Sequence, residues 1–242
     1  MIRALPQRTP AQWGARVDYD TWTHHAKDGV TVHWPGETGD LIPILTDDTK
    51  VAGKLRAMER FHLDDRGWSG LGYHYVIDPR GTLWRARGEG SGAHNPGDSD
   101  RDGTPDNLDS YGVQVLVGAN EVPTVAQLRT LSGVIVAAGG RAWPHGATRP
   151  TTCPGPWLTA WVERQGWNDF RMSASATTVE DTVPDREPRQ WEVNARDWAA
   201  DRGLVNPEAD PLKQPTWAEV LNVIRKYDAQ TSLPDPMETP DA

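Results

Sequence analysis

The sequence predicts an α/β domain, in which a mixed β-sheet is flanked by helices, followed by a small C-terminal module of two helices. Short apolar runs typical of strands alternate with amphipathic segments of helical period across residues 8–168. Residues 172–188 are rich in Ser, Thr, Asp, Glu and Pro, a composition typical of a linker. Two further amphipathic segments lie within residues 189–229, and the acidic, Pro-rich residues 230–242 predict a disordered tail.

The first predicted elements are a strand and a helix. Residues 28–33 form a short apolar run that predicts a strand ending at His33. Asp47 or Asp48 is a suitable N-cap for a helix that runs to about His62, since apolar residues recur along one face of this segment.

A β-hairpin and a further strand are predicted next. Tyr73–Ile77 and Thr82–Arg87 flank the turn sequence Asp78-Pro-Arg-Gly81, whose Pro and Gly favour a tight reversal. Tyr111–Val117 has the apolar, β-branched composition of another strand. These segments supply the remaining strands of the expected sheet.

Two helices complete the predicted domain. Thr124 and Gln127 match a capping box at the start of an apolar helical series, and Gly139-Gly140 supplies a stop. A second helix is predicted to begin after Pro154 and to end near Gly166.

The charge and hydropathy of the chain exclude several classes of partner. The net charge is −9, and no basic stripe is present, which argues against nucleic acid. The longest apolar stretch, near Val134 to Ala138, is too short to cross a bilayer, and the first residues lack the apolar core of a signal peptide. We therefore expect synthesis in a cytoplasm and no membrane association.

The only cysteine, Cys153, lies eight residues after His145, and His33 ends the first predicted strand. Two imidazoles and one thiolate form a three-ligand zinc set, which leaves one tetrahedral position open for water or substrate. The alternatives are that His33 is a hydrogen-bonded histidine of the core or its rim, and that Cys153 is a small buried apolar side chain.

Six segments occur in the order found in the type 2 N-acetylmuramoyl-L-alanine amidases, a family that includes peptidoglycan recognition proteins and many phage endolysins. The resemblance covers roughly residues 8–168. The segments are Gln12-Trp-Gly-Ala-Arg16, Val30-Thr-Val-His33, Gly67-Trp-Ser-Gly-Leu-Gly-Tyr-His-Tyr75, Gly81-Thr-Leu-Trp-Arg85, Gly92-Ala-His94 and Thr152-Cys-Pro-Gly155.

The resemblance implies a role for each matching position. His33, His145 and Cys153 would bind Zn²⁺. Tyr73 would lie beside the metal and polarise the reacting amide, and Thr151 occupies the position of a residue that bonds the developing oxyanion. The alternatives are that Tyr73 serves only strand packing and that Thr151 only shapes a Pro-bounded turn.

Three further residues are predicted to line the substrate groove. Trp34 stands where many relatives have a second histidine after the first ligand, and it would reshape the groove wall. His94 and Asn95 are predicted to touch the substrate, and an expanded acidic loop follows them.

This loop, Asp98 to Asp109, matches the oxygen-ligand spacing of a twelve-residue calcium loop, with a glycine at position 6. The alternative is a solvated, Asp-rich surface turn, because position 12 holds Asp and position 8 holds Pro105. The predicted Ca²⁺ ligands are Asp98, Asp100, Asp102, Asp106 and Asp109.

The C-terminal segment Trp191 to Tyr227 resembles two-helix modules that are appended to phage amidases, and in outline it is similar to surface-layer homology motifs. Such a unit would bind a secondary cell wall polymer and concentrate the enzyme on its substrate. The alternative is a pair of helices that packs or dimerises.

The predicted function is zinc-dependent hydrolysis of the amide between N-acetylmuramic acid and L-alanine in bacterial peptidoglycan. The expected setting is a phage endolysin that is made in the host cytoplasm and acts at the cell wall after release. Two alternatives remain, a peptidoglycan-binding protein without catalysis and a zinc peptidase that cuts within the stem peptide.

Overall fold

The computed structural model of the chain describes residues 2–170, and these form a mixed five-stranded sheet with helices on both faces. The predicted linker, helical module and tail lie outside the described residues. The sheet order is β3-β2-β4-β1-β5. The strands are β1 Gly29–His33, β2 Tyr75–Ile77, β3 Leu83–Arg85, β4 Ser110–Val115 and β5 Ala142–Pro144.

The helices follow the predicted segments, with two short additions. The α-helices are α1 Pro10–Trp13, α2 Asp48–Arg60, α3 Asp106–Asp109, α4 Val125–Ala137 and α5 Pro156–Glu163. Single turns of other helix types lie at Ile2–Ala4, Tyr19–Thr21, Phe61–Asp65 and His145–Ala147. None of the helices within residues 2–170 has the length and apolar character needed to cross a membrane.

The two long helices begin where their capping residues predict. The Asp47 carboxylate accepts a hydrogen bond from the backbone N–H of Lys50 at 2.9 Å, which satisfies a free donor at the start of α2. At α4, Thr124 and Gln127 form the reciprocal capping box.

The predicted hairpin is shorter than expected. β2 and β3 pair antiparallel over three residues each, and Tyr73 and His74 precede β2 instead of lying within it. The reason lies in hydrogen bonding, since the backbone carbonyl of His74 accepts from both Ala86 and Gly88, an irregular arrangement that ends the ladder.

Alternation along β1 divides the sheet into two environments. Val30 and Val32 point to one face and pack in a core with residues of α4 and α5, including Leu131 and Leu158. His33 is one position further along and therefore belongs to the opposite face. A second core, with Val51 and Leu55 of α2 packed on Val76 and Trp84, lies on that other side.

Candidate metal centre

His33 and His145 meet because β1 and β5 are parallel neighbours. Val32 pairs with Pro144 in the register of the two strands, so the residue that follows each of them emerges at the same edge of the sheet. The centroids of the two imidazole rings are 4.4 Å apart. Topology therefore brings together two residues that are far apart in the sequence.

Cys153 reaches the same point through a closed loop. The backbone N–H of Gly146 donates to the carbonyl of Cys153 at 3.0 Å, so the chain after His145 folds back on itself. The Cys153 Sγ lies 3.6 Å from Nδ1 of His33. The ligand atoms of His33, His145 and Cys153 all lie within 4.8 Å of one another.

Burial shifts the pKa of all three groups. Burial lowers the pKa of His33, with smaller contributions from His94 and His145, and it also lowers the pKa of His145. Both imidazoles are therefore neutral near pH 7, the form that binds a metal. Burial raises the pKa of the Cys153 thiol to about 11, although a hydrogen bond from the Trp34 backbone opposes this.

His145 provides the test of whether a metal fits. Both of its ring nitrogens are buried and lack a hydrogen-bond partner within residues 2–170. An unpaired buried imidazole costs free energy, which a bond to a metal would offset. Two nitrogens and one sulfur are the donor set that Zn²⁺ prefers, and a three-residue set leaves a coordination position open.

Tyr73 lies beside this cluster, as the sequence predicts. Its ring centroid is 5.1 Å from that of His33. Burial and the proximity of Cys153 raise its pKa far above the usual range, so the hydroxyl keeps its proton. The side-chain amide of Gln114 hydrogen-bonds to this hydroxyl.

Gln114 is a site residue that the sequence reasoning missed. It pairs with His33 in the register of β1 and β4, so both side chains project from the same face. The side chain is buried, and its Oε1 has no hydrogen-bond partner among residues 2–170. The signal was a single polar residue in the otherwise apolar strand Tyr111 to Val117.

Thr151 lies on the segment from His145 to Cys153, here called the ligand loop, and is exposed. Its Oγ1 accepts a hydrogen bond from the backbone N–H of Cys153 at 3.2 Å. The hydroxyl proton is therefore free to donate to another acceptor.

Trp34 follows the first ligand and is half-buried. Its ring packs against Gly155, where a Cβ would approach the indole to within 3.2 Å. Gly155 also has a φ of 89°, which a residue with a side chain rarely adopts. Trp34 thus holds the start of α5 against the ligand loop.

His94 and Asn95, which are predicted to touch the substrate, are both buried, with exposed fractions of 7% and 0%. Asn95 donates to Asp106 at 2.7 Å and to Thr148 at 2.9 Å, which links the ligand loop to the acidic loop. His94 contacts His33 directly.

The acidic loop does not gather its five predicted calcium ligands. Asp106 is buried and bonded to Thr31, Asn95 and Ser99, while Asp98 accepts hydrogen bonds from backbone N–H groups of its own turn. Within the described residues, the acids that cluster closely are Asp28, Asp100 and Asp102. The short helix α3 begins at Asp106, whose side chain is buried, and calcium binding by the five acids stays a prediction.

No family model matches the chain. Curated relatives include the N-acetylmuramoyl-L-alanine amidase of Homo sapiens, 32% identical over 127 residues, which cover 47% of this chain and 20% of that protein. The amidase of Sus scrofa is 31% identical over 145 residues, with coverage of 55% and 23%. The chain thus spans about a fifth of the length of these relatives. Peptidoglycan-recognition protein SC2 of Drosophila simulans is 26% identical over 128 residues, with coverage of 49% and 64%.

Solved structures of peptidoglycan recognition proteins share the fold. Drosophila PGRP-LB superposes with a TM-score of 0.53 at 25% identity, covering 73% of this chain and 98% of that one. Peptidoglycan recognition protein-LE, solved in complex with tracheal cytotoxin, superposes with a TM-score of 0.55 at 21% identity, covering 68% and 95%.

The mixed sheet, with two histidines and a cysteine converging at one edge, has the fold of the peptidoglycan recognition proteins. The chain is similar in sequence to N-acetylmuramoyl-L-alanine amidases and shares its fold with peptidoglycan recognition proteins. This confirms the resemblance and the fold class that the sequence predicts.

Proposed function

We propose that this chain is a zinc-dependent N-acetylmuramoyl-L-alanine amidase. It would hydrolyse the amide that joins the lactyl group of N-acetylmuramic acid to L-alanine in peptidoglycan. The observation that carries the proposal is the convergence of His33, His145 and Cys153 within 4.8 Å, with the ring of Tyr73 centred 5.1 Å from that of His33. A protein that only bound peptidoglycan would need neither a thiolate ligand nor this tyrosine.

His33, His145 and Cys153 would hold the zinc. When bound, zinc supplies Lewis acidity, which activates a water molecule near neutral pH and polarises the scissile carbonyl. The two neutral imidazoles need no deprotonation to serve as ligands, whereas the Cys153 thiol must release its proton.

Tyr73 and Thr151 would stabilise the negative charge that develops on the carbonyl oxygen. The Tyr73 hydroxyl keeps its proton, and its oxygen already receives the Gln114 amide, so its O–H is free to donate to the substrate. The Thr151 hydroxyl accepts from the Cys153 N–H and likewise has a free proton. Donors fixed in this way favour the transition state over the ground state.

Mass spectrometry of digested cell walls tests the proposal. Purified full-length chain, loaded with zinc, should release intact stem peptides that begin with L-alanine. Fragments cut within the stem would instead indicate a peptidase, and bound walls with no products would indicate a binding protein. Either of these outcomes would overturn the proposal.

Matched variants connect that activity to the ligand set. We expect Cys153→Ser to lose both bound zinc and product release. His24→Gln is the control, since His24 is an exposed histidine that pairs with Arg3 away from the cluster. It should retain full zinc content and activity.

We extend the proposal to the setting that the sequence suggests. The described domain would act on bacterial peptidoglycan as a phage endolysin, released to the wall from the host cytoplasm. The PGRP-LE complex with a monomeric diaminopimelic acid-type peptidoglycan supports this class of substrate for the fold. The cell wall polymer expected for residues 189–229 stays a prediction from the sequence.

A further inference from the structure

We propose that His94 is a positioning residue for the metal centre, which fixes the tautomer of His33 so that Nδ1 is the ligand atom. The inference rests on the zinc site of the proposed function. It gives His94 a role that acts through His33, with no contact to substrate.

A chain of two hydrogen bonds carries this inference. Nε2 of His94 lies 3.3 Å from the carbonyl oxygen of Ser110, and Nδ1 of His94 lies 3.1 Å from Nε2 of His33. A carbonyl oxygen can only accept, so Nε2 of His94 carries the hydrogen. A neutral imidazole with its hydrogen on Nε2 has no hydrogen on Nδ1.

Because Nδ1 of His94 carries no hydrogen, it can only accept a hydrogen bond, and His33 must therefore donate that bond from Nε2. A neutral His33 with its hydrogen on Nε2 has its lone pair on Nδ1. That atom is the one that faces Cys153, at 3.6 Å from Sγ. The carbonyl of Ser110 thus determines, through His94, which nitrogen of His33 is available to a metal.

Tight packing holds the His94 ring in the orientation that this chain requires. A Cβ at Gly112 would lie 2.3 Å from the ring, and a Cβ at Gly92 would lie 2.4 Å from it. The His74 ring meets it edge-on, with centroids 5.2 Å apart. The ring is therefore closely surrounded, and the fold itself supplies the two hydrogen-bond partners that set its tautomer.

Three substitutions of His94 in the full-length chain separate hydrogen bonding from packing. In His94→Asn, the amide oxygen can replace Nδ1 as the acceptor for His33. In His94→Gln, the longer side chain fills more of the space and places its amide near Ser110, away from His33. His94→Leu keeps neither hydrogen bond.

The measurement is zinc affinity, determined by competition with a chromophoric chelator. We expect His94→Asn to stay close to the unsubstituted chain, while His94→Gln and His94→Leu bind zinc about 10- to 100-fold more weakly. If the ring served only to fill space, the larger Gln would preserve affinity better than Asn. That reversed order, or equal affinity in all variants, would overturn the inference.

Two further readouts keep the result unambiguous. The visible spectrum of the cobalt-substituted protein should be unchanged in His94→Asn and shifted in His94→Gln. Of these two variants, only His94→Gln removes the hydrogen bond that fixes the tautomer of His33. His24→Gln is the control, since His24 is exposed, pairs with Arg3 and contacts neither His33 nor His94 in the described residues. Absence of zinc binding by the unsubstituted chain would count against the proposed function itself, whereas wild-type binding with unaffected variants counts only against the role of His94.

Discussion

The Sγ of Cys153 lies 3.6 Å from Nδ1 of His33, although 120 positions separate the two residues in the chain. The ligand loop achieves this by folding back from His145 over the end of β1, with Gly146 bonded to the Cys153 carbonyl. The same short distance defines where a metal would bind. Three predictions test the chemistry around this point, and a fourth concerns the acidic loop.

Replacing Tyr73 by Phe should leave zinc bound and reduce turnover strongly. The variant keeps the aromatic ring that packs beside His33 and removes only the hydroxyl. Loss of one donor to a developing oxyanion costs about 100-fold or more in kcat. Turnover on a soluble muropeptide and zinc content by mass spectrometry are the measurements.

Tyr75→Phe is the matched control for this substitution. The Tyr75 hydroxyl is buried without a partner in the described part of the chain, and its side chain packs in the core on the other face of the sheet. We expect unchanged turnover. A Tyr73→Phe variant that remained fully active would show that Tyr73 has no part in the reaction.

Gln114→Leu should lower turnover by about 5- to 10-fold without loss of zinc. The substitution removes the hydrogen bond that orients the Tyr73 hydroxyl, and one such bond contributes about 1 kcal/mol. The test is a double-mutant cycle, because Gln114→Leu should have no further effect once Tyr73 is Phe. Independent, multiplying effects would contradict the coupling.

Zinc affinity should rise with pH, by about tenfold per unit between pH 7 and 9. Burial raises the pKa of Cys153 to about 11, so the thiol is protonated throughout this range and one proton competes with the metal. The pKa of each imidazole is lowered, so His33 and His145 are already neutral and add no dependence. Chelator competition at several pH values measures the slope, and a flat profile would contradict this assignment.

Asp109→Asn should stabilise the protein at pH 7.5 and have little effect near pH 4. Burial, followed by the nearby Asp102, Asp100 and Asp106, raises the pKa of Asp109 to about 6. For a raised pKa, the favourable contribution is complete below the unfolded-state value and is lost as the pH rises through about 6. After allowance for partial exposure, we expect a gain of about 1 kcal/mol, or about 2–4 °C in Tm.

Thermal unfolding at the two pH values measures this effect, and a second variant serves as the comparison. Asp98 accepts hydrogen bonds from backbone N–H groups, which lower its pKa, so Asp98→Asn should give no gain in stability. The experiment also tests the calcium prediction. If millimolar calcium stabilises the unsubstituted chain and Asp109→Asn abolishes that effect, Asp109 is a ligand after all.

Much of the fold follows from local sequence. Asp47 and the Thr124 capping box start their helices where expected, because capping depends on residues within one turn. His33 ends its strand for a similar reason, since alternation of apolar residues defines β1. The order of the motifs was enough to predict the likeness to the amidases and peptidoglycan recognition proteins.

The resemblance also identified His33, His145, Cys153 and Tyr73 as candidate site residues from their positions in the sequence. The tertiary structure alone decided what surrounds them. Gln114 meets Tyr73 only because β4 lies between β1 and β2, and His94 turns inward onto His33 because Gly92 and Gly112 leave space for its ring. Sequence records the identity and spacing of side chains, whereas the partner of each polar atom depends on strand order and packing between distant segments, and these exist only in the folded chain.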